Sequence, residues 1–495
     1  MKSETTRETV DLTNCDKEQI HIPGTVQAFG ALIAFDESGV ITRASENING
    51  LQRMSAAELL GQKIDKLMAK EDFEKLLKTH DGEWQIVTGR LQGGSTVDML
   101  LHGIDSERYI DIIAHDDALT VDSPALLRDF VNKTSKIFTI SELVDCLAST
   151  VRQVSGIDRV KIYKFDANWN GEVIAEKRDA AMPSYLGLHF PQSDIPKQAR
   201  ELYQRNKVRV IADIEAVNPQ IIDAGSRAPI DLSFSFVRSV SEIHLQYLRN
   251  MSINASMSLS LFDGERFWGL VACHHRTAMK FSFQQASLFE SLVDVASSRI
   301  TDLNRVAAAE ERASRLDDVQ NMLLNVTRNG RLEALIDQRP TMQDLISSTG
   351  VIIAIDGKLS KRGAVPDDDT VARLVTWLDR GKEDVVAFDD MPHRYANDIA
   401  SYVCGLLALR LKGKKSSWIM WTRLEAISEV NWAGDPYKPS EDSPFGTRLY
   451  PRSSFELWKE TSRGHSNPWE AVELSSAKAL SDMIGNLIEQ NLIAS

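Results

Sequence analysis

Cysteine is scarce. There are four in 495 residues, at positions 15, 146, 273 and 404, and no two are close enough to form a CxxC pair. That spacing excludes a zinc ribbon or a local dithiol redox motif. It points to a reducing compartment, so a cytoplasmic protein is expected, with any important cysteine acting alone. Basic residues are outnumbered, 57 Lys and Arg against 70 Asp and Glu, for a net charge of −13. This balance counts against nucleic acid or an anionic membrane as the main partner. No apolar run approaches the ~18 residues of a membrane span. The opening residues, Met1 to Val10, are polar and charged, without a signal-peptide apolar core. HExxH, Walker A, GxSxG and zinc-deaminase patterns are missing, as are histidine-kinase and nucleotide-cyclase signatures. No catalytic residue and no metal ligand set is therefore expected, and an enzyme is not.

What remains is ordinary globular composition, 43% apolar and 26% charged, over a length that predicts about three domains. The arm Met1–Gln19 has little periodicity and reads as irregular. Ala31–Phe35 and Val40–Ala44 read as strands around the turn Asp36-Glu37-Ser38-Gly39. Ser55–Leu60 and Asp72–Leu77 read as short helices. Glu83–Thr88, Ser95–His102 and Tyr109–His115 complete a small α+β unit with an antiparallel sheet. A second unit starts near Pro124. Leu127–Val154 reads as helix, with Phe130, Ile137, Leu143 and Val151 on one side. Val160–Phe165 reads as a strand, and Ser256–Phe262 pairs with Phe267–His274 across Asp263-Gly264.

From Phe281 to Asn329 there is neither Gly nor Pro, and apolar residues recur by threes and fours. One long helix joining two domains is predicted, with two ordinary surface helices as the alternative. The third region repeats the mixed pattern, with strands at Val351–Ile355 and Trp418–Arg423 and a helix at Thr370–Asp379. Between Asn431 and Glu470 the pattern fails. Five prolines and the tryptophans Trp432, Trp458 and Trp469 fall there. A loop that long inside a compact domain is usually functional or disordered, and its aromatic content argues against disorder. Leu474–Leu492 is again helical, an oligomer seam or a connection to something absent.

Few residues invite chemistry. Cys273-His274-His275 looks like a nucleophile or metal cluster, but adjacent strand residues point to opposite faces, so these neighbours alone do not assemble a site. Cys15 is either an exposed bystander or a thiol on a tether able to bond a ligand held elsewhere. Asp16 and Glu18 would raise its pKa, so it is not an activated nucleophile. In His189-Phe190-Pro191-Gln192-Ser193-Asp194-Ile195-Pro196 two prolines bracket a carboxylate. Read alone, Ser193 or Asp194 is a cap for a helix opened by Pro196.

Taken together, Asn14-Cys15, Ile20-His21-Ile22-Pro23-Gly24, Ser193-Asp194-Ile195-Pro196, His244-Leu245-Gln246-Tyr247-Leu248-Arg249-Asn250-Met251, Trp268-Gly269-Leu270-Val271-Ala272-Cys273-His274-His275 and Pro451-Arg452-Ser453-Ser454-Phe455 resemble the bacterial phytochromes, in that family's order and spacing. The resemblance implies an α+β chain of three antiparallel-sheet domains joined by long helices. These are an arm at 1–20, a PAS domain at 21–123, a GAF domain at 124–305 and a PHY domain at 306–495. It also implies an arm knotted through the GAF domain, a tongue at about 431–470 and a C-terminal output helix. It implies a red/far-red photoreceptor holding biliverdin, a linear tetrapyrrole, through a thioether to Cys15. Ile243 stands where members that use a GAF cysteine carry it, and cannot bond.

By the same resemblance Asp194 offers its carbonyl to the pyrrole nitrogens and its carboxylate to the tongue. His244 lies at the inner rings and His274 at the D-ring carbonyl. Tyr163, Tyr203, Tyr247 and Ile195 wall the pocket, although core packing would also account for Tyr163 and Tyr203. Arg209 and Arg238 bind the propionates, assisted by Ser256 and Ser258. Arg452 pairs with Asp194 in one state and Ser454 replaces it in the other, Trp432 and Trp458 belonging to the same switch. Residue chemistry agrees: guanidinium suits carboxylate, and a protonated tetrapyrrole favours a nearby carbonyl and aspartate. The sequence departs from the family at Ala28-Phe29, Leu188, Gln192 and Glu242. The expected partners are an output domain such as a histidine kinase, C-terminal to a truncated chain, and a second copy in a homodimer. The rivals are a light-independent PAS/GAF binding module and a thiol or metal enzyme built on residues 273–275.

Overall fold

In a computed structural model, the described residues are 18–78, 85–92, 94–104, 107–117, 122–225, 229–396, 399–411, 416–426, 428–437, 440–443, 446–449 and 454–490. Cys15 and Arg452 lie outside them, as do most of the arm and residues 79–84. The chain divides into two compact units, one of residues 1–303 and 431–458, the other of 304–430 and 459–495.

The first unit holds two large sheets and a two-stranded one, Ser440–Ser443 with Gly446–Leu449. One large sheet has the order Ile221–Asp223, Ile41–Ser45, Gly30–Phe35, Glu107–Ala114, Thr96–Ile104, Val87–Arg90, antiparallel throughout. Its edge strand, Ile221–Asp223, comes from 180 residues further along the chain than its neighbour, so register across it was not legible locally. Alternation buries Ala31, Ile33, Ile110, Ile112, Val97 and Met99 on one face. The short helix Ala56–Leu59 is set by a capping box, in which Ser55 accepts from Glu58 N and Glu58 accepts from Ser55 N.

The second sheet runs Val208–Ile211, Ala255–Asp263, Arg266–His275, Arg159–Phe165, Gly171–Arg178, His189–Phe190. Its two faces carry different cores. Val160, Ile162, Met257, Val271 and Cys273 face the layer containing Leu143, Leu147, Phe289 and Leu292. Tyr163, Phe165, Leu270 and Phe190 face the other way, toward Leu245, Leu248 and Ile253. The expected 127–154 helix is two, Ser123–Thr134 and Ile140–Ser155. The break comes from Thr139, whose hydroxyl accepts from Glu142 N at 3.2 Å and starts the second helix. Pro196 is the N-cap of Lys197–Arg205, not its first helical residue, and no side chain caps that helix.

The segment Ile20–Gln27 runs between two stretches of residues 213–241. On one side Val26 N donates to Pro219 O and Ile221 N to Gly24 O. On the other, Leu232 N donates to His21 O and Gln27 N to Val237 O. The buried Gln27 amide is satisfied at both ends, donating to Val210 O and Arg238 O and accepting from Ala212 N.

The long helix is one element, Phe283–Asn329, 47 residues. The second unit has a five-stranded antiparallel sheet, Lys358–Gly363, Gly350–Ile355, Trp418–Arg423, Gly405–Arg410, Val385–Phe388. Trp418 and Trp421 are fully buried on it, and each indole N–H is satisfied, by Asp379 and by Met342 O. Ala471–Glu489 packs Ala477, Leu480 and Ile484 with Val319, Met322 and Val326 of the long helix. The stretch from 431, expected to lack pattern, contains strands. Trp432 pairs in parallel with His189, and Ser440–Ser443 pairs with Gly446–Leu449. Ser-Glu-Asp-Ser has no strand propensity, so pairing with its neighbour, not composition, makes the ladder.

Candidate functional site

On the second face of the second sheet lies an open-mouthed cleft of about 1450 Å³, counted out into the open solvent at its mouth. One wall is helical. Ile195, Gln198, Ala199, Leu202, Tyr203 and Asn206 all line it, at the spacing of a single helix face. The sequence offers a helix opened by Pro196 here, but not which of its faces meets the cleft. A second wall is Glu242–Asn250, contributing Ile243, His244 and Tyr247. The floor is strand: Arg209, Ile211, Ser256 and Ser258. Residues 18, 20 and 238–241 close one end, and Pro436 reaches the cleft from the long irregular stretch.

Nine of the anticipated residues therefore line this space: Asp194, Ile195, Tyr203, Arg209, Arg238, His244, Tyr247, Ser256 and Ser258. Tyr163 does not. It is buried in an aromatic cluster with Phe165 and Phe190, at ring distances of 5.3 and 5.8 Å. His274 is also outside the lining and is buried, opposite Ser256 in the sheet register. Sequence reasoning missed Ser239, Ser241, Gln198 and Pro436. Nothing local marks them: Ser239, Ser241 and Pro436 reach the cleft through loops, and Gln198 stands on the helical wall as an ordinary polar helix residue.

The electrostatics are unusual. Arg209 and Arg238 are buried, and neither makes an ion pair among the described residues. Arg209 donates to Arg238 O at 2.5 Å and Ser239 O at 2.9 Å, yet its Nη1 has no hydrogen-bond partner. Arg238 donates to Ile20 O at 2.9 Å, leaving Nε unpartnered. Burial drives the pKa of Arg209 well down, with the charge of Arg238 adding to it, and brings Arg238 to about 10. Unmet guanidinium donors on side chains that line a cleft are the complement of carboxylates. The histidines are poised neutral. Burial, then the charge of Arg209, lowers His244 to about 4, and burial sends His274 well below its ordinary value. His274 Nδ1 has no hydrogen-bond partner. The His244 and Tyr247 rings stack at 6.0 Å.

Asp194 sits in a short 3-10 turn and caps no helix. Its carboxylate accepts from Tyr247 Oη at 2.9 Å. Phe455 packs edge-on to Tyr247 at 5.2 Å and against Tyr185 at 6.5 Å. Ser454 is exposed, and its hydroxyl accepts from Glu456 N. The Trp432 ring meets His189 at 5.9 Å, and the Trp458 ring meets Tyr437 at 6.0 Å. Glu18 accepts from Ser241 Oγ at 2.8 Å, which anchors the described end of the arm at the cleft. In the 273–275 cluster, Cys273 is in the core with its thiol pKa pushed up by burial. His275 turns instead to Asp158, at 3.2 Å.

Three family descriptions match the chain: PAS fold over residues 15–112, GAF domain over 139–300 and Phytochrome region over 316–492. The chain is 32% identical to cyanobacterial phytochrome B of Nostoc sp. across 97% of its own length and 67% of that protein's. It is 32% identical to a bacteriophytochrome of Pseudomonas aeruginosa, covering 95% of this chain and 66% of that one. It thus spans about two thirds of the length of these curated relatives. Among solved structures, the Stigmatella aurantiaca phytochrome photosensory core module aligns with TM-score 0.82, 35% identity and 98% and 99% of the two chains. A bacteriophytochrome from the photosynthetic bacterium R. palustris aligns with TM-score 0.85, 31% identity and 97% and 99%.

Proposed function

Because this chain belongs to the phytochrome family of red/far-red photoreceptors, we propose that its cleft holds a linear tetrapyrrole, biliverdin, and that Cys15 bonds it covalently as a thioether. The observation that carries this reading is the pair of buried, cleft-lining arginines, 209 and 238, each with an unmet donor and no carboxylate partner among the described residues. Two propionates of one bilin supply the missing acceptors. The bilin supplies the photochemistry, a reversible isomerisation at its C/D methine bridge. The chain supplies everything else. Arg209 and Arg238 hold the propionates, with Ser256 and Ser258 assisting. Asp194 presents its backbone carbonyl to the pyrrole N–H groups. His244 and His274, both neutral, hold hydrogen bonds at the inner rings and at the D-ring carbonyl. Tyr203, Tyr247 and Ile195 exclude water, and Tyr163 backs the wall.

The contact of Tyr247 with both Asp194 and Phe455 supports a switch in the 431–470 tongue. Arg452 engages Asp194 in one state, and Ser454 takes its place on Asp194 in the other, with Trp432 and Trp458 repacking. Two discrete packings of one segment are the bistable element that signalling needs. The domains are assigned as 1–20 arm, 21–123 PAS, 124–305 GAF and 306–495 PHY. The bonding of residues 20–27 on two sides supports an arm knotted through the GAF domain. The whole protein would pass the signal to an output domain, such as a histidine kinase, and work as a homodimer in the cytoplasm. No helix among the described residues is long and apolar enough to cross a membrane. The chain itself senses without turning over a substrate.

The test is an absorption spectrum after incubation with biliverdin, taken in the dark, after red and after far-red light. Reversible exchange of a red and a far-red band is expected, with pigment kept after denaturation and released by Cys15→Ser. A spectrum indifferent to light would leave a light-independent binding module.

A further inference from the structure

The run 235–241 carries Arg238, Ser239 and Ser241 into the lining of the cleft. It belongs to no helix or strand, so its course is decided by what bonds it from outside. Some of those bonds come from residues at the cleft and in the arm. Gln27 Nε2 and Arg209 Nη2 both donate to Arg238 O, and the Thr25 and Ser239 hydroxyls share a hydrogen bond. Another hold comes from the first sheet. Asp111, in the strand Glu107–Ala114, is fully buried and is not among the residues lining the cleft. Its carboxylate accepts from Ser235 Oγ at 2.8 Å, from Phe236 N at 2.6 Å and from His102 Nε2 at 3.1 Å. A buried carboxylate is tolerated where donors replace water, and these meet that demand. The donors at 235 and 236 stand just ahead of Arg238. The Asp111 charge reaches the site as well. Burial, then the Arg238 charge, lowers the pKa of Arg209, and Asp111 is among the groups opposing that fall.

Resting on the bilin reading above, we propose that Asp111 is a positioning residue for the propionate site: a buried carboxylate of the first sheet that fixes the backbone at 235–236 and so sets where Arg238 meets the ligand. Asp111 itself touches no atom of the ligand. Its two effects on a bilin carboxylate have opposite signs, which makes them separable. As an anchor it strengthens binding, because a guanidinium already held in place gives up little freedom when it forms its bonds. As a buried anion it opposes a second anion. The anchor prevails, because its hydrogen bonds are direct contacts, whereas the repulsion acts from outside the lining.

The test uses the full chain carrying Cys15→Ser, so that binding is read at equilibrium. It is titrated with biliverdin and with biliverdin dimethyl ester, whose propionates carry no charge. This parent chain should favour the free acid by about 10- to 100-fold. Asp111→Asn keeps the shape but offers one acceptor oxygen in place of two. It should weaken biliverdin about tenfold and the dimethyl ester by less than about twofold. Equal losses for both pigments would make Asp111 a general scaffold residue. Tighter biliverdin binding would make it only an opposing charge, and unchanged binding would leave it no role. Each of these overturns the proposal. Where Asp111→Asn does not fold, Ser235→Ala removes one donor and leaves the Phe236 bond. It should cost biliverdin alone about threefold, and a loss without that selectivity overturns the proposal. If the parent chain binds neither pigment, or both equally, the propionate reading fails, and amide exchange in the apoprotein decides on the anchor. Exchange about tenfold faster across 235–239 in Asp111→Asn supports it, and unchanged exchange overturns it.

Discussion

At the scale of single residues, the two arginines make opposite demands before and after ligand binding. Arg209 is buried with no ion-pair partner among the described residues, a costly arrangement in the apoprotein. Arg209→Gln should therefore leave the apoprotein as stable as wild type or more so, while weakening biliverdin binding by about 10- to 100-fold, the worth of a hydrogen bond to a charged group. Urea unfolding of the apoprotein and a binding titration give the two signs. A variant that loses stability and affinity together would show that Arg209 is a scaffold residue.

His244 carries a pH signature. Its folded pKa, about 4, lies below the unfolded value of 6.5 because burial penalises the imidazolium. Above pH 6.5 neither state is charged at this ring, so it exerts no pull. As pH falls from 6.5 to 4 the unfolded chain takes a proton that the folded one refuses, and stability drops. Urea midpoints of the apoprotein should fall over that window. His244→Gln should recover about 2–3 kcal/mol at pH 4.5, with little change at pH 7. His274 is shifted in the same direction and keeps part of the slope in that variant.

At the scale of elements, close approach and capping decide what propensity does not. Gly171 opens the strand Gly171–Arg178, and a Cβ there would come within 1.7 Å of the Tyr163 ring. Gly171→Ala should cost about 1–3 kcal/mol, the range for overpacking. It should also displace Tyr163, seen as a changed pigment spectrum, while Gly61→Ala in an open turn leaves the spectrum alone. Phe455 tests the stretch after 431. Phe455→Ala removes the ring that meets Tyr247 and Tyr185. Faster amide exchange across 431–458 is expected, with biliverdin still bound, since no lining residue is lost. Unaltered exchange would mean that Trp432, paired through His189, holds the segment alone.

The elements differ in how far they could be read in advance. The strands flanking Asp263-Gly264 were legible because alternation and a two-residue turn specify a hairpin. The strand Gly171–Arg178 was not, since Glu-Lys-Arg at its end conceals a face buried only by its neighbours. The break at Ser135–Thr139 was missed because apolar spacing carries across it, and the cap at Thr139 is a side-chain bond rather than a composition.

At the scale of the whole molecule, three described elements run from one unit into the other: the long helix and the strands Ser428–Ala433 and Leu457–Ser462. The middle of the helix, Ala307-Ala308-Ala309, is exposed, so a break there disturbs no core. Ala308→Pro, costing about 3 kcal/mol of helix, should leave the dark pigment spectrum unchanged. It should abolish light-dependent changes in amide exchange across Ala471–Glu489. Retention of those changes would assign transmission to the tongue rather than to the helix.

By itself the sequence determined the local elements and the chemical kinds at the site: arginines, paired histidines, a proline-flanked aspartate, a helix without glycine or proline. These follow from propensity, periodicity and side-chain chemistry, which act over a few residues. Only the tertiary structure decided that Arg209 and Arg238 lack carboxylate partners among the described residues, and that Asp194 answers to Tyr247 rather than to a helix end. Such facts depend on contacts between residues far apart in the chain, and on burial, which turns an ordinary charge into a demand for a partner.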